Sequence, residues 1–302
     1  MKIKILIIFC FIGIFGYGQD HLFPKQELSQ YDINPTLEYK NDSLFIVINN
    51  SLKSPLRFQI YTDNEIINKE HHLKDTLLLA PLESKTLTYY IPKLKNINYT
   101  FETFIGNPLQ VIVPNEIKFP FPKGKDYNII QGYNGVYSHN NDYNRYAIDF
   151  DLKVNDTISS VDDGVVIGVI ENYKHGGSSK LWRDNDRSNF ITIYHPHSGI
   201  YTQYGHLIYQ GSLVKVGDEV EKGQPIALSG MTGFTNISHL HFNVLVPKKG
   251  EKKKLLDMAI DNAKISLENK FELIIKDENR TSIANEELGK LLNINPLNRI
   301  EI

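Results

Sequence analysis

The sequence predicts an all-β protein in which a small N-terminal β-sandwich precedes a second part built on an antiparallel β-sheet. Short apolar runs alternate with turns rich in Asn, Asp, Pro and Ser along most of the 302 residues. The chain contains 17 Tyr and 15 Phe, and aromatic and β-branched residues favour strands. A chain of this length can form two domains, each with its own core.

Residues 1–18 predict a secretory signal peptide. Lys2 and Lys4 precede an apolar run over residues 5–15, and the small residues Gly16 and Gly18 then offer a cleavage site. The run is too short for a comfortable membrane span. We therefore expect export to the periplasm, the cell envelope or the extracellular space, with no stable membrane span after cleavage.

Residues 19–118 predict the N-terminal β-sandwich domain, since runs such as DSLFIVINNS and KTLTYYIP are typical of antiparallel strands. Pro120 and Pro122 mark the entry to a second β-rich domain over residues 119–249. Its polar segment 171–189, which contains Trp182, either borders a binding site or is a tolerated surface insertion. Residues 250–302 form a C-terminal extension in which 254–264 suggests a short helix and 270–278 a strand.

Charge and cysteine content exclude several kinds of site. The formal net charge of −2 gives no electrostatic case for nucleic-acid binding. Cys10, the only cysteine, lies in the predicted signal peptide. The mature chain would therefore lack disulfides, and a metal site in it would need His, Asp or Glu ligands.

The stretch SHLHF, residues 238–242, places two histidines on either side of a leucine. Successive side chains of a β-strand alternate between faces, so His239 and His241 would share one face and Leu240 would point to the other. Two imidazoles on one face suit a metal site or a pair of proton-transfer groups. Taken alone, so short a motif favours a strand whose histidines are structural, because short motifs often occur without the function.

Further segments accompany this motif. SHNNDYNRYAIDFDL provides His139 and Asp149, IYTQYGHL contains His206, and GDEVEKGQPIALSGMTG leads towards the histidine pair. This ordered series resembles the lysostaphin-type (LytM-like) zinc metallopeptidases of family M23, whose hallmarks are a His…Asp motif, a Tyr-x-His-Leu segment and H-L-H-F. The resemblance implies that the second domain is a lysostaphin-type antiparallel β-sheet peptidase domain.

The resemblance also implies the roles of individual residues. It implies a zinc ion held by His139, Asp149 and His241, with a fourth tetrahedral position open, as in catalytic zinc sites. His206 and His239 would be catalytic, one accepting a proton from water and the other stabilising developing charge. The chain has no H-E-x-x-H motif, so a glutamate base is not expected.

Two positions depart from the family pattern. The first histidine commonly lies four residues before the aspartate, where this chain has Arg145, which stays protonated and cannot bind a metal. Some members resemble the longer SH…YAIDF arrangement, so His139 is the expected ligand and Asp142 the alternative. Asn243 replaces a usual glutamate after H-L-H-F, which should change the hydrogen bonds around the site.

Other candidate residues are given smaller roles. Tyr204 is expected either to bring a phenol to the site or to pack in the core. His195 and His197 repeat the H-x-H spacing, but Pro196 and Gly199 indicate a turn at the end of a strand rather than a metal site. His175 has no partner in sequence and is expected to be exposed.

The resemblance and the signal peptide together predict a secreted zinc endopeptidase that hydrolyses peptide cross-links of bacterial peptidoglycan. The alternative is a metal-free LytM-like protein that activates another cell-wall hydrolase. No nucleic acid is expected among the partners. The sequence gives neither the oligomeric state nor the bond cleaved, and it assigns no role to the N-terminal domain or the extension.

Overall fold

The computed structural model describes residues 35–73, 75–92, 98–113, 116–141, 143–185, 187–247, 260–262, 264–266 and 271–274. The predicted signal peptide, Asp142 and most of the C-terminal extension lie outside these ranges. The described helices are α1 (Glu65–Glu70) and α2 (Lys180–Asn185). In the part of the chain described, no helix has the length and hydropathy that a membrane span requires.

The strands are numbered in chain order. They are β1 (Thr36–Lys40), β2 (Ser43–Asn49), β3 (Leu56–Thr62), β4 (Leu77–Leu79), β5 (Ser84–Tyr90), β6 (Tyr99–Ile105), β7 (Glu116–Ile117), β8 (Ile129–Gln131), β9 (Ile148–Phe150), β10 (Thr157–Ser159), β11 (Gly164–Ile170), β12 (Gly176–Gly177), β13 (Phe190–His195), β14 (Ile200–Gly205), β15 (Leu207–Ser212), β16 (Glu219–Val220), β17 (Pro225–Ser229), β18 (Gly233–Phe234), β19 (Leu240–Pro247), β20 (Ile260–Asn262), β21 (Lys264–Ser266) and β22 (Phe271–Ile274).

The N-terminal strands form two three-stranded antiparallel sheets, in the orders β1-β2-β5 and β4-β3-β6. Strand β2 shows the period of two that its sequence predicts, because Leu44, Ile46 and Ile48 are buried and the residues between them are half-buried. The buried side chains of both sheets belong to one hydrophobic cluster. Two small sheets with a shared core match the predicted sandwich.

The main sheet has the order β16-β11-β13-β14-β19-β9-β8, with β20 also paired to β19. All of its pairings are antiparallel. The register places Gly205 of β14 and Asp149 of β9 on either side of His241 in β19. This register brings residues that are far apart in the sequence to one end of the sheet.

Each face of the main sheet is buried in a different cluster, because neighbouring residues on a strand point to opposite sides. On β19, Leu240, Phe242 and Val244 lie in one cluster with side chains from strands β9, β11, β13 and β14. Leu245 lies in the other cluster, which also contains the buried side chains of the N-terminal sheets. The N-terminal strands therefore cover part of the second face.

That second face also carries His241. His241, Asn243 and Leu245 are spaced two residues apart on β19 and so share a face, about 13 Å from the first to the last at ~3.3 Å per residue. Tyr201 pairs with Leu245 and packs with it in the N-terminal cluster. The N-terminal sheets thus occupy the far end of the face whose near end holds His241.

The predicted all-β class is confirmed, because strands dominate the described residues and every described sheet except a two-stranded one is antiparallel. The pairing of β12 with β18 is parallel. The helix suggested for residues 254–264 is wrong over its last part, where residues 260–262 pair as a strand with β19. The strand suggested within 270–278 is confirmed at Phe271–Ile274. The proposed domain boundaries stay predictions.

Leu240 shows how the sheet supports the histidines, since it lies between them and is fully buried on the opposite face. We expect Leu240→Ala to lower the free energy of unfolding by about 2–5 kcal/mol, because it leaves a cavity in the core. Leu213→Ala is the control: its side chain is 54% exposed, and the change should stay within about 0.5 kcal/mol. Denaturant unfolding measures both, and equal effects would contradict the assignment of Leu240 to the core.

Candidate metal centre and active site

Three donor atoms from separate segments converge at the end of β9 and β19. Nε2 of His139 lies 3.2 Å from Oδ1 of Asp149 and 3.3 Å from Nδ1 of His241. Nδ1 of His241 lies 2.8 Å from the same carboxylate oxygen. His139 and Asp149 are buried, and His241 is partly exposed. The structure thus brings together the three residues that the sequence predicts as ligands.

The spacing of these atoms fits a zinc ion. Ligand atoms about 2.0–2.1 Å from a tetrahedral zinc lie about 3.3 Å from one another, close to the observed 2.8, 3.2 and 3.3 Å. Two nitrogens and one oxygen are donors that zinc accepts, and they leave one tetrahedral position open. Three electron-rich atoms this close together also require a proton or a cation between them.

His139 reaches the centre although it lies ten residues before Asp149. Its backbone N–H donates to the carbonyl oxygen of Gly135 at 2.9 Å, which closes a tight turn. Its Nδ1 donates to the carbonyl oxygen of Gly132 at 2.8 Å. This contact places a proton on Nδ1, so Nε2 is the atom whose lone pair a metal ion between Asp149 and His241 would take. Asp142, the alternative ligand, lies outside the described residues.

Asn243 hydrogen-bonds to the segment that connects His139 to β9. Its Nδ2 donates to the carbonyl oxygen of Tyr143 at 3.1 Å and to Oδ1 of Asn144 at 3.3 Å. The Tyr143 hydroxyl in turn donates to Oε1 of Gln203 at 2.6 Å on the neighbouring strand. The amide of Asn243 therefore holds the longer segment against the sheet.

His206 and His239 lie beside the three donor atoms. Their ring centroids are 4.5 Å apart, and the His206 ring is 5.8 Å from that of His241. Nε2 of His239 lies 3.8 Å from Oδ1 of Asp149. Burial, together with the nearby charges of His239 and His241, holds the pKa of His206 well below its usual value. The neutral form of His206 is therefore favoured.

Three imidazoles share one tautomer because a backbone carbonyl accepts from each Nδ1. The bonds are 2.8 Å for His139, 2.7 Å for His206 and 3.0 Å for His239. Carbonyl oxygens only accept, so the neutral form of each ring has its proton on Nδ1 and its lone pair on Nε2. The three acceptors are the carbonyl groups of Gly132, Thr232 and Ile237.

The backbone at His206 is strained. Its φ of 61° lies in the left-handed region, which costs a residue other than glycine about 1–3 kcal/mol and is common at functional sites. The backbone N–H of His206 donates to Oγ of Ser188 at 3.2 Å. This turn between β14 and β15 directs the imidazole towards the donor atoms.

Gln131 is a residue of the site that the sequence reading missed. Its Nε2 donates at 2.8 Å to Oδ2 of Asp149, the oxygen not facing the two histidines. Burial alone would raise the pKa of Asp149, but hydrogen bonds and charge from His139 and His241 hold it well below its usual range. The only sequence signal for Gln131 is its place in the glycine-containing run QGYNG before His139.

The polar segment 171–189 lies beside the donor atoms, which is the first of the two positions that the sequence allows for it. Strand β12 pairs with β18, directly before the residues that hold His239. The Phe234 ring of β18 stacks on Tyr137 with centroids 5.2 Å apart and an interplanar angle of 6°. The guanidinium of Arg183 in α2 lies 5.4 Å from the same ring. Tyr137 precedes His139, so this stack joins the two sides of the site.

The remaining candidates have structural positions. Tyr204 is fully buried in the cluster on the opposite face from His241, and its hydroxyl accepts from the Val161 backbone N–H, so the core interpretation holds. Buried His195 bonds the Asp163 carbonyl and Thr202. His197 and His175 are exposed. None of these histidines joins the three donor atoms.

Comparison with known proteins finds a family match over the segment that contains most of the site residues. Residues 143–255 match the model described as peptidase family M23. This match includes Asp149, His206, His239 and His241 and begins after His139. The predicted resemblance to the lysostaphin-type peptidases is confirmed for this segment.

Several solved structures are also similar. They are the catalytic domain of the antimicrobial peptidase lysostaphin from Staphylococcus simulans (23% identity, 46% of this chain and 84% of that chain, TM-score 0.27), a zinc-containing peptidase from Vibrio cholerae (17%, 70% and 82%, 0.30) and the SpoIIQ–SpoIIIAH pore-forming complex (16%, 49% and 87%, 0.33). The family match, rather than these similarities, carries the assignment.

Proposed function

Because residues 143–255 carry a peptidase family M23 sequence, we propose that the chain is a zinc endopeptidase that hydrolyses peptide cross-links of bacterial peptidoglycan. The observation that carries the proposal is the convergence of His139, Asp149 and His241 on one point, with two further imidazoles beside them. We also propose export to the periplasm, cell envelope or extracellular space, on the basis of the signal peptide that the sequence predicts over residues 1–18.

In this proposal Nε2 of His139, Oδ1 of Asp149 and Nδ1 of His241 hold the zinc ion. When bound, zinc supplies Lewis-acid chemistry, which polarises a carbonyl group and makes water acidic enough to act as a nucleophile near neutral pH. The buried carboxylate of Asp149 balances part of the metal charge. Its hydrogen bond from Gln131 and the carbonyl contact of His139 hold these two ligands in place.

His206 and His239 perform the proton transfers. Each donates its Nδ1 proton to a carbonyl, so the neutral form of each ring can accept a proton from the attacking water at Nε2. A ring protonated in this way can then donate to the developing oxyanion or to the leaving amine. The closeness of the two rings allows one histidine to take the proton while the other stabilises charge.

The proposal is tested first by metal content. We expect the purified mature protein to contain about one tightly bound zinc by elemental analysis, and purified cross-linked sacculi to release peptide fragments visible by mass spectrometry. His197→Ala, which removes an exposed imidazole away from the site, should retain both properties.

The two outcomes of this experiment separate the proposal from its alternative. A protein without zinc at neutral pH that releases no fragments, yet stimulates another hydrolase on the same sacculi, is the metal-free LytM-like regulator. Zinc together with fragment release supports the peptidase, and the masses of the fragments identify the bond cleaved.

A further inference from the structure

We infer that Gln131 is a positioning residue for the zinc centre, one that makes Asp149 bind through a single oxygen and holds the His139 segment against it. The inference rests on the proposed function, because it assigns to Gln131 a role towards the same metal. Gln131 is half-buried at the end of β8, and its partners span both ligand-bearing segments.

Every hydrogen-bonding group of the Gln131 amide is used. Nε2 donates to Oδ2 of Asp149 and to Oγ of Ser138, each at 2.8 Å. Oε1 accepts from the backbone N–H groups of Tyr137 at 3.2 Å and Ser138 at 3.4 Å. The reverse orientation would place Oε1 against a carboxylate oxygen and Nε2 against two N–H groups. The network therefore fixes a single orientation of the amide.

In this orientation of the amide, the two carboxylate oxygens of Asp149 have different partners. Oδ2 receives the Gln131 amide, while Oδ1 faces His139 and His241. Held in this way, the carboxylate would offer Oδ1 alone to a metal ion between His139 and His241. Without the amide, Oδ2 would be free to turn towards the metal and raise the coordination number.

The same amide braces the turn that carries His139. Its contacts with Tyr137 and Ser138 fix the backbone directly before the histidine. Gly135 lies over the Gln131 side chain, and a Cβ added there would lie 2.4 Å from Cγ of Gln131. An alanine at Gly135 must therefore displace Gln131, although the backbone at Gly135 is not left-handed.

The first test is Gln131→Met, which keeps the side-chain length but removes the amide. We expect zinc to bind about 10- to 100-fold more weakly, the usual effect of removing a partner of a metal ligand, as measured by competition with a chromophoric chelator. The cobalt(II)-substituted protein should show weaker visible absorption, because a second carboxylate oxygen raises the coordination number. A purely structural role would not change this spectrum.

The second test is a double-mutant cycle with Gly135→Ala. If alanine acts by displacing Gln131, it should weaken zinc binding in the wild-type background and add nothing in the Gln131→Ala background, where no Cγ remains for it to displace. Val136→Ala is the matched control, since Val136 is next to Gly135 and its side chain is 92% exposed. We expect this control to keep wild-type zinc affinity.

The outcomes distinguish the two proposals. Wild-type affinity and an unchanged cobalt spectrum in Gln131→Met would overturn the role of Gln131 while leaving the peptidase proposal intact. Additive effects of Gly135→Ala and Gln131→Ala would overturn it as well. A wild-type protein that binds no zinc overturns the proposed function, and this inference with it.

Discussion

Replacing His241 by alanine is expected to abolish stoichiometric zinc binding by the purified protein. The substitution removes one of three donors, and zinc sites gain roughly 3 kcal/mol per ligand when the binding energy of a four-ligand site is shared equally. A loss of this size weakens affinity more than about a hundred-fold. It also removes the imidazole that lies 2.8 Å from Oδ1 of the buried Asp149.

Chelator competition and elemental analysis measure this loss, with His197→Ala as the control that removes an exposed imidazole. Circular dichroism would show whether His241→Ala keeps the β-sheet spectrum, so that a loss of metal can be separated from unfolding. A His241→Ala protein that retains one zinc at native affinity would contradict the assignment of the centre.

The second large effect is expected for His206→Ala and His239→Ala, which should keep their zinc but lose peptidase activity. Neither ring supplies one of the three converging donor atoms, so the metal should stay bound. Removal of a proton-transfer group typically slows catalysis by about 10²–10⁴-fold. The rate of fragment release from cross-linked sacculi, normalised to zinc content, measures the effect.

The two variants also test how the roles are divided. Unequal losses would identify the principal proton acceptor, and the double variant should lose little more than the more impaired single variant, since residues that act as a unit are not additive. Native fragment release by both single variants would show that the proton-transfer roles are wrong. Loss of zinc in either variant would place that histidine among the ligands.

The local part of the site could be predicted from the sequence. Strand alternation predicts that His239 and His241 face the same side, and both rings reach Oδ1 of Asp149 in the structure. The burial of Ile148 and Phe150 around Asp149 follows from the same alternation. These predictions succeed because they depend only on neighbours along one strand.

The route of the chain from His139 to Asp149 could not be predicted in this way. It depends on contacts between distant residues, above all the bonds from Asn243 to Tyr143 and Asn144. Gln131 was missed for the same reason, because its amide acts on Asp149 from the neighbouring strand, 18 residues away in the sequence. Its residue type alone carries no signal for a metal site.

Tyr204 and the C-terminal extension show where sequence patterns leave a choice. Tyr204 lies two residues before His206, but its pairing with Phe242 places it in the core on the other face. Residues 260–262 have a composition that also suits a helix, yet they add a strand beside β19. In both cases the pairing partner decides the outcome, and that partner is distant in the sequence.

The carbonyl groups that orient His139, His206 and His239 belong to the main chain. No side-chain replacement at Gly132, Thr232 or Ile237 deletes these acceptors, so the residues at these places can diverge while the imidazoles keep their protons on the same atom. Only a change in the path of the loops would release the rings. We therefore expect related sequences to conserve the loop conformations that place these carbonyl groups rather than the residue types at these positions. A comparison of amino-acid types alone would not detect the conserved hydrogen bonds.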